Sequence, residues 1–164
     1  PQPTTADAVI IQALINQAFG GIRYWNVNLL PFVQTNSEYN YIINSINIVI
    51  SLSGGEGRDI PCFHAVGLGK HCLGLKAHAY LDYLNDENAV LINPSSKIKA
   101  VDGMFFHENL NWNTGNFYDW ADSDLQDAFG SVLNRFVKNK HNSVGLELQK
   151  RSYKDTLETI LKEV

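Results

Sequence analysis

The tightest constraint on the fold is a series of three apolar segments, Ile60 to Leu68, Gly74 to Leu84 and Ala89 to Asn93, separated only by short connections. Glycines with Lys70 and His71 divide the first two, and a polar Asn85-Asp86 turn divides the second from the third. Segments of this kind joined by such turns predict an antiparallel meander. The segments before it read as helices. Thr5 precedes a run from Ala6 to Phe19 that stops at Gly20-Gly21, the pattern of a capped helix with a glycine terminator, with Val9, Ile10, Ala13, Leu14 and Ala18 as its buried stripe. Ser37 stands as an N-cap before Tyr39 to Leu52, where Ile42, Ile43, Ile46, Val49 and Ile50 recur at helical spacing despite their branched side chains. After the meander comes a glycine- and aromatic-rich piece, 102 to 120. Two further helices close the chain. Leu125 to Lys138 is capped from Asp122-Ser123-Asp124, with a stripe running from Leu125 to Val137, and another helix begins at Tyr153. The expected fold class is therefore α+β, helices packed on an antiparallel sheet.

With 164 residues, 45% of them apolar, the chain supports one core and reads as a single domain over 1–164. It opens on Pro-Gln-Pro-Thr-Thr and has Met104 as its only methionine, so it reads as cut from something longer, with 1–5 a linker remnant. A net charge of −4 without a Lys/Arg cluster argues against a nucleic-acid or membrane-surface role and leaves proteins or small molecules as partners. The apolar runs are far shorter than the ~18 residues of a membrane span. Two cysteines, Cys62 and Cys72, lie ten positions apart, neither a disulfide framework nor a CxxC spacing.

Chemistry concentrates between His78 and Pro94. With Asn85 and Asp86 at the centre of a tight turn, Leu84 pairs with Glu87 and His78 falls opposite Asn93, their Cβ atoms ~5 Å apart on one face. A side-chain carbonyl beside an imidazole fixes its tautomer and ring plane, which makes His78 and Asn93 a base-and-orienter pair. A histidine that merely bonds a neighbouring amide in a half-buried hairpin is the plainer alternative.

Three fragments carry a resemblance: Asp59-Ile-Pro-Cys-Phe-His-Ala-Val, then His78-Ala79-Tyr80-Leu81-Asp82, then Val90-Leu91-Ile92-Asn93-Pro94-Ser95. Together they resemble the transglutaminase-like branch of the papain-type cysteine enzymes, over under a quarter of the chain. The resemblance implies a helix bearing the nucleophile at its N-terminus, packed on a sheet that carries the histidine and an Asp or Asn. His78 and Asn93 match the last two positions. By order in the chain the nucleophile position falls at Ser37, where the family has cysteine. Cys62 falls at a position that the family fills with alanine, and Cys72 where it puts no nucleophile. Ser37 is then a native nucleophile of low reactivity, the mark of a degenerate domain that only binds, or an engineered Cys→Ser replacement. If active, the domain would attack protein amide or ester carbonyls through an acyl-enzyme; if not, its cleft would bind a peptide or protein.

No cofactor or metal motif is present. A symmetric first hairpin would set Cys62, His64 and His78 on one sheet face, a metal-binding alternative without a standard spacing. Asp119, Asp122, Asp124 and Asp127 depart from a calcium loop, and Ser53 to Arg58 lacks the lysine ending of a phosphate loop. Trp112, Tyr118 and Trp120 are expected to roof the core, with a peptide groove beside His78 as the alternative.

Overall fold

The computed structural model describes residues 5–22, 26–27, 30, 33–101, 106–112 and 115–150. The expected helix from Tyr153 lies outside them. The chain divides into two compact units, Pro1–Ile42 and Ile43–Val164.

In the first unit, α1 covers Thr5–Ala18 and stops where expected: Gly20 and Gly21 take positive φ, and their amides bond back to Gln17 O and Asn16 O. Its expected stripe is not buried at Val9 and Leu14, both exposed. Helix α2, Asn36–Ser45, begins the second element. Its cap is Thr35 rather than Ser37. Thr35 Oγ1 accepts the Glu38 amide at 3.2 Å while the Glu38 carboxylate accepts the Thr35 amide at 3.1 Å, a reciprocal capping box.

The second unit corrects the meander. The helix expected to reach Leu52 ends at Ser45, and Ile48–Ser51 is strand β1. The branched residues Ile48, Val49 and Ile50 follow their preference for extended backbone over the helical spacing. The first expected strand is helix α3, Ile60–Gly67. Asp59 caps it, accepting the Cys62 amide at 3.0 Å, and Pro61 fits the first turn, where a missing N–H costs nothing. Strand β2 is His71–Leu75 and β3 is Val90–Ile92; between them His78–Asp82 forms a 3₁₀ turn instead of a strand.

These strands form a sheet of order β1-β2-β3, parallel throughout, with Ser51 beside Gly74 and Gly74 beside Leu91. The antiparallel register that set His78 against Asn93 is therefore absent. Parallel pairing follows from α3, which carries the chain back between β1 and β2. Every residue of the central strand β2 is buried, as expected of a strand flanked on both edges and covered on its faces. Around Leu73 and Leu75 the core gathers Val66, Tyr80, Leu84, Ile92 and Val132.

The Asn85 turn forms where expected, as a crossover. Asn85 Oδ1 accepts the amides of Glu87 and Asn88 at 2.9 and 3.1 Å, and Asn88 Nδ2 donates to Tyr83 O at 2.8 Å. Helix α4, Asp122–Lys138, holds Arg135 so that its guanidinium donates to the carbonyls of Asp86 and Ala89, at 2.8 and 3.0 Å, which fixes the entry to β3. Of its expected stripe, Ala128 and Val132 are buried and Leu125 and Phe136 half-buried; Phe129, Leu133 and Val137 are exposed. The aromatic piece contains a strand. Ser96–Lys99 (β4) and Asn116–Asp119 (β5) pair as an antiparallel ribbon, and Tyr118 and Trp120 pack against the core as the expected roof, while Trp112 is exposed. Mixed helix and strand content agrees with α+β. Among the described residues no helix is long and apolar enough to cross a membrane.

Candidate functional site

Parallel strands deliver all their following loops to one edge, and in open sheets ligands gather there. At this edge β1 ends on Ser51 and leads to Gly54 and Asp59; β2 leads to His78 and Tyr80; β3 leads to Asn93. Among the described residues only two that are not glycine have positive φ, Asp59 at 50° and His78 at 51°, and both belong to these loops. A left-handed conformation costs a residue with a Cβ on the order of 1 kcal/mol or more, so surrounding bonds must hold it.

For Asp59 those bonds come from its own carboxylate. Its Oδ1 accepts the Cys62 amide, and its Oδ2 accepts both the Tyr80 hydroxyl, at 3.1 Å, and the Ser51 hydroxyl, the latter in close contact. Ser51 Oγ and the Tyr80 hydroxyl oxygen also lie 2.9 Å apart. Two hydroxyl hydrogens thus face three contacts, and two can be donated at once. Burial pushes the Tyr80 hydroxyl from 10.0 up to about 12, against the pull of the Ser51 bond, so it stays a donor at neutral pH. Burial likewise raises Tyr83, whose ring meets Phe63 edge-on at 5.3 Å.

His78 is held differently. Its Nε2 lies 2.6 Å from Gly54 O, and its ring meets Tyr118 edge-on with centroids 4.6 Å apart. A carbonyl only accepts, so Nε2 carries the hydrogen, and in the neutral ring the lone pair is then on Nδ1. The same Gly54 oxygen accepts the Tyr118 amide at 2.8 Å, which ties the loop after β1 to β5. Beside this junction lies a groove of about 510 Å³ whose walls include Gly54, Gly55, Ile98, Phe117, Tyr118 and Trp120. Phe117 packs so closely on Gly55 that a Cβ there would stand 2.7 Å from its ring.

Of the expected site residues, His78 and Asn93 both follow adjacent strands at this edge, yet the oxygen that orients His78 is Gly54 O. Asn93 is exposed. Ser37 is exposed in the first turn of α2 and belongs to the first unit, whereas His78 and Asn93 belong to the second. The strand face proposed for metal binding does not form, because Cys62 and His64 are on α3, the first buried and the second exposed. Among the described residues no three His, Cys, Asp or Glu side chains group to hold a metal. Sequence reasoning missed Asp59 and Gly54. Asp59 was signalled by Asp-x-Pro, a cap followed by first-turn proline; a backbone carbonyl leaves no such mark.

No protein-family model matches this chain, and no curated protein matches it.

Proposed function

We propose that the second unit binds an extended peptide through its amide groups in the groove beside His78, without catalysing a reaction on it. The observation that carries this reading is the His78 ring, pinned by Gly54 O and packed edge-on against Tyr118, two residues that also line an aromatic groove. Such a groove offers apolar walls for side chains, and a neutral His78 ring beside it would offer Nδ1 as an acceptor for a peptide N–H. The resemblance of His78-Ala79-Tyr80 and Asn93-Pro94 to transglutaminase- and papain-like enzymes supports amide recognition. What argues against catalysis is the lack of a reactive thiol. Cys62 and Cys72 are both buried, and the Cys72 thiol is pushed well above its ordinary value by its bond to Cys62 and by burial.

Amide-resolved NMR titration with blocked, extended tetrapeptides tests this. Shifts centred on Gly54, Gly55, His78 and Tyr118, with the peptides recovered intact, are expected; peptides that leave these signals unmoved would overturn the binding reading. The catalytic alternative takes Ser37 as nucleophile, His78 as base and Asn93 as orienter. It would be favoured instead by hydrolysis of a peptide or activated ester that both Ser37→Ala and His78→Ala abolish.

A further inference from the structure

Cys62 on α3 and Cys72 on β2 bring their sulfurs to 3.5 Å, and both residues are 1% exposed. We propose that this pair is a disulfide site: when the chain folds in an oxidising environment, Cys62 and Cys72 close an internal bond that staples α3 to the central strand. Sequence spacing alone gave no reason to pair them; the turn from α3 into β2 does, by folding the helix back against the strand that follows it. A covalent bond needs ~2.05 Å between sulfurs, so the thiols must close roughly 1.5 Å, a distance within reach of side-chain rotation.

The staple has a structural consequence at the sheet edge. The Cys62 amide is the one that Asp59 caps, and Asp59 in turn holds Ser51 and Tyr80. Tying Cys62 to β2 therefore anchors the first turn of α3 beneath that carboxylate.

Oxidised glutathione supplies the chemistry. One cysteine thiolate attacks a glutathione sulfur and releases a glutathione thiolate, giving a mixed disulfide. The second cysteine, deprotonated, attacks the protein sulfur of that intermediate and expels the second glutathione. Two protein thiols are oxidised, one glutathione disulfide is reduced to two thiols, and the two protons move to them. In the native chain burial shields both sulfurs, so the exchange belongs to folding, when both are accessible.

The test refolds the full chain from denaturant in a glutathione buffer rich in the oxidised form. Intact mass about 2 Da below that of the reduced chain, with no thiol alkylated by iodoacetamide in denaturant, is the expected result. The oxidised protein should also melt about 5–10 °C above the reduced one, and the double variant Cys62→Ala/Cys72→Ala should lose this redox dependence. Two persistent free thiols, a glutathione adduct on either cysteine, or chains linked to one another would overturn the proposal. So would an internal bond that lowers the melting temperature, since the pair would then strain the fold; the wild-type measurements decide the matter even if the double variant does not fold.

Discussion

Gly54 joins two loops and strand β5 through one oxygen, and Gly54→Ala tests whether that junction orients His78. Its carbonyl accepts from His78 Nε2 at 2.6 Å and from the Tyr118 amide at 2.8 Å, one partner for each lone pair. A Cβ on Gly54 would stand 2.4 Å from Tyr118 O, and a backbone oxygen cannot rotate aside as a side chain would. The loop must therefore withdraw from β5, which forfeits both bonds. At about 1 kcal/mol net for each, the variant should lose about 2 kcal/mol of stability, read by urea unfolding. The ring gives the more specific signal. A bond of about 1 kcal/mol biases the neutral tautomers roughly fivefold toward Nε2–H, and that bias should vanish with the bond. Long-range proton–nitrogen NMR at a pH that leaves the ring neutral distinguishes the two forms. A wild-type ring carrying its hydrogen on Nδ1, or a variant whose ring is unchanged, would refute the geometry.

Asp59→Ala removes the helix cap and the acceptor shared by Ser51 and Tyr80, and it places alanine at a φ of 50°; it should cost about 2–4 kcal/mol in urea unfolding, whereas Asp59→Asn, which keeps an acceptor, should cost less. Leu73→Ala, at a fully buried position of the central strand, should cost about 2–5 kcal/mol in the same assay. Tyr80 sets an alkaline limit. Its folded pKa of about 12 exceeds the ordinary 10.0, so the folded chain keeps a proton that the unfolded chain loses. Stability is then intact below pH 10 and falls through the window from 10 to about 12, by up to about 1.4 kcal/mol per pH unit from this group. Unfolding measured across that window should show a shallower decline in Tyr80→Phe than in wild type.

What the sequence disclosed was its punctuation. Gly20-Gly21 ends α1 and Asn85 makes its turn through bonds to immediate neighbours; α4 starts at Asp122, but its N-cap is Ala121 and no side chain caps it, so the expected Asp122-Ser123-Asp124 cap does not form. Periodicity misled where it conflicted with branched side chains. Ile42 to Ile50 fits helical spacing, yet the chain changes from helix to strand within it, since pairing with β2 rewards Ile48 to Ile50 for their extended preference. The opposite error occurred at Ile60 to Leu68, an apolar run read as a strand. Its buried apolar side chains, Cys62, Ala65 and Val66, are spaced three and one apart, as on a helix face, and Asp59 with Pro61 marks its start. Two readings together set the wrong polarity: taking Ile60 to Leu68 as a strand removed the crossover between β1 and β2, and taking Asn85-Asp86 as a hairpin turn ran Gly74 to Leu84 back against Ala89 to Asn93, whereas both pairings are parallel.

Strand polarity also changes what Asn93 can do. In an antiparallel hairpin His78 and Asn93 would be cross-strand neighbours, each held by the other's strand. In the parallel sheet they share an edge only because successive strands end there, and the His78 ring is bonded to the loop that follows β1. If Gly54 orients the ring, Asn93 is dispensable for that task. Asn93→Ala should then leave the His78 tautomer as it is in wild type and, at an exposed position, alter stability by no more than about 0.5 kcal/mol. Should the variant instead shift the tautomer balance in the same direction as Gly54→Ala, Asn93 would have to reach the ring in solution, and the pairing expected from the papain-like resemblance would regain its orienting residue.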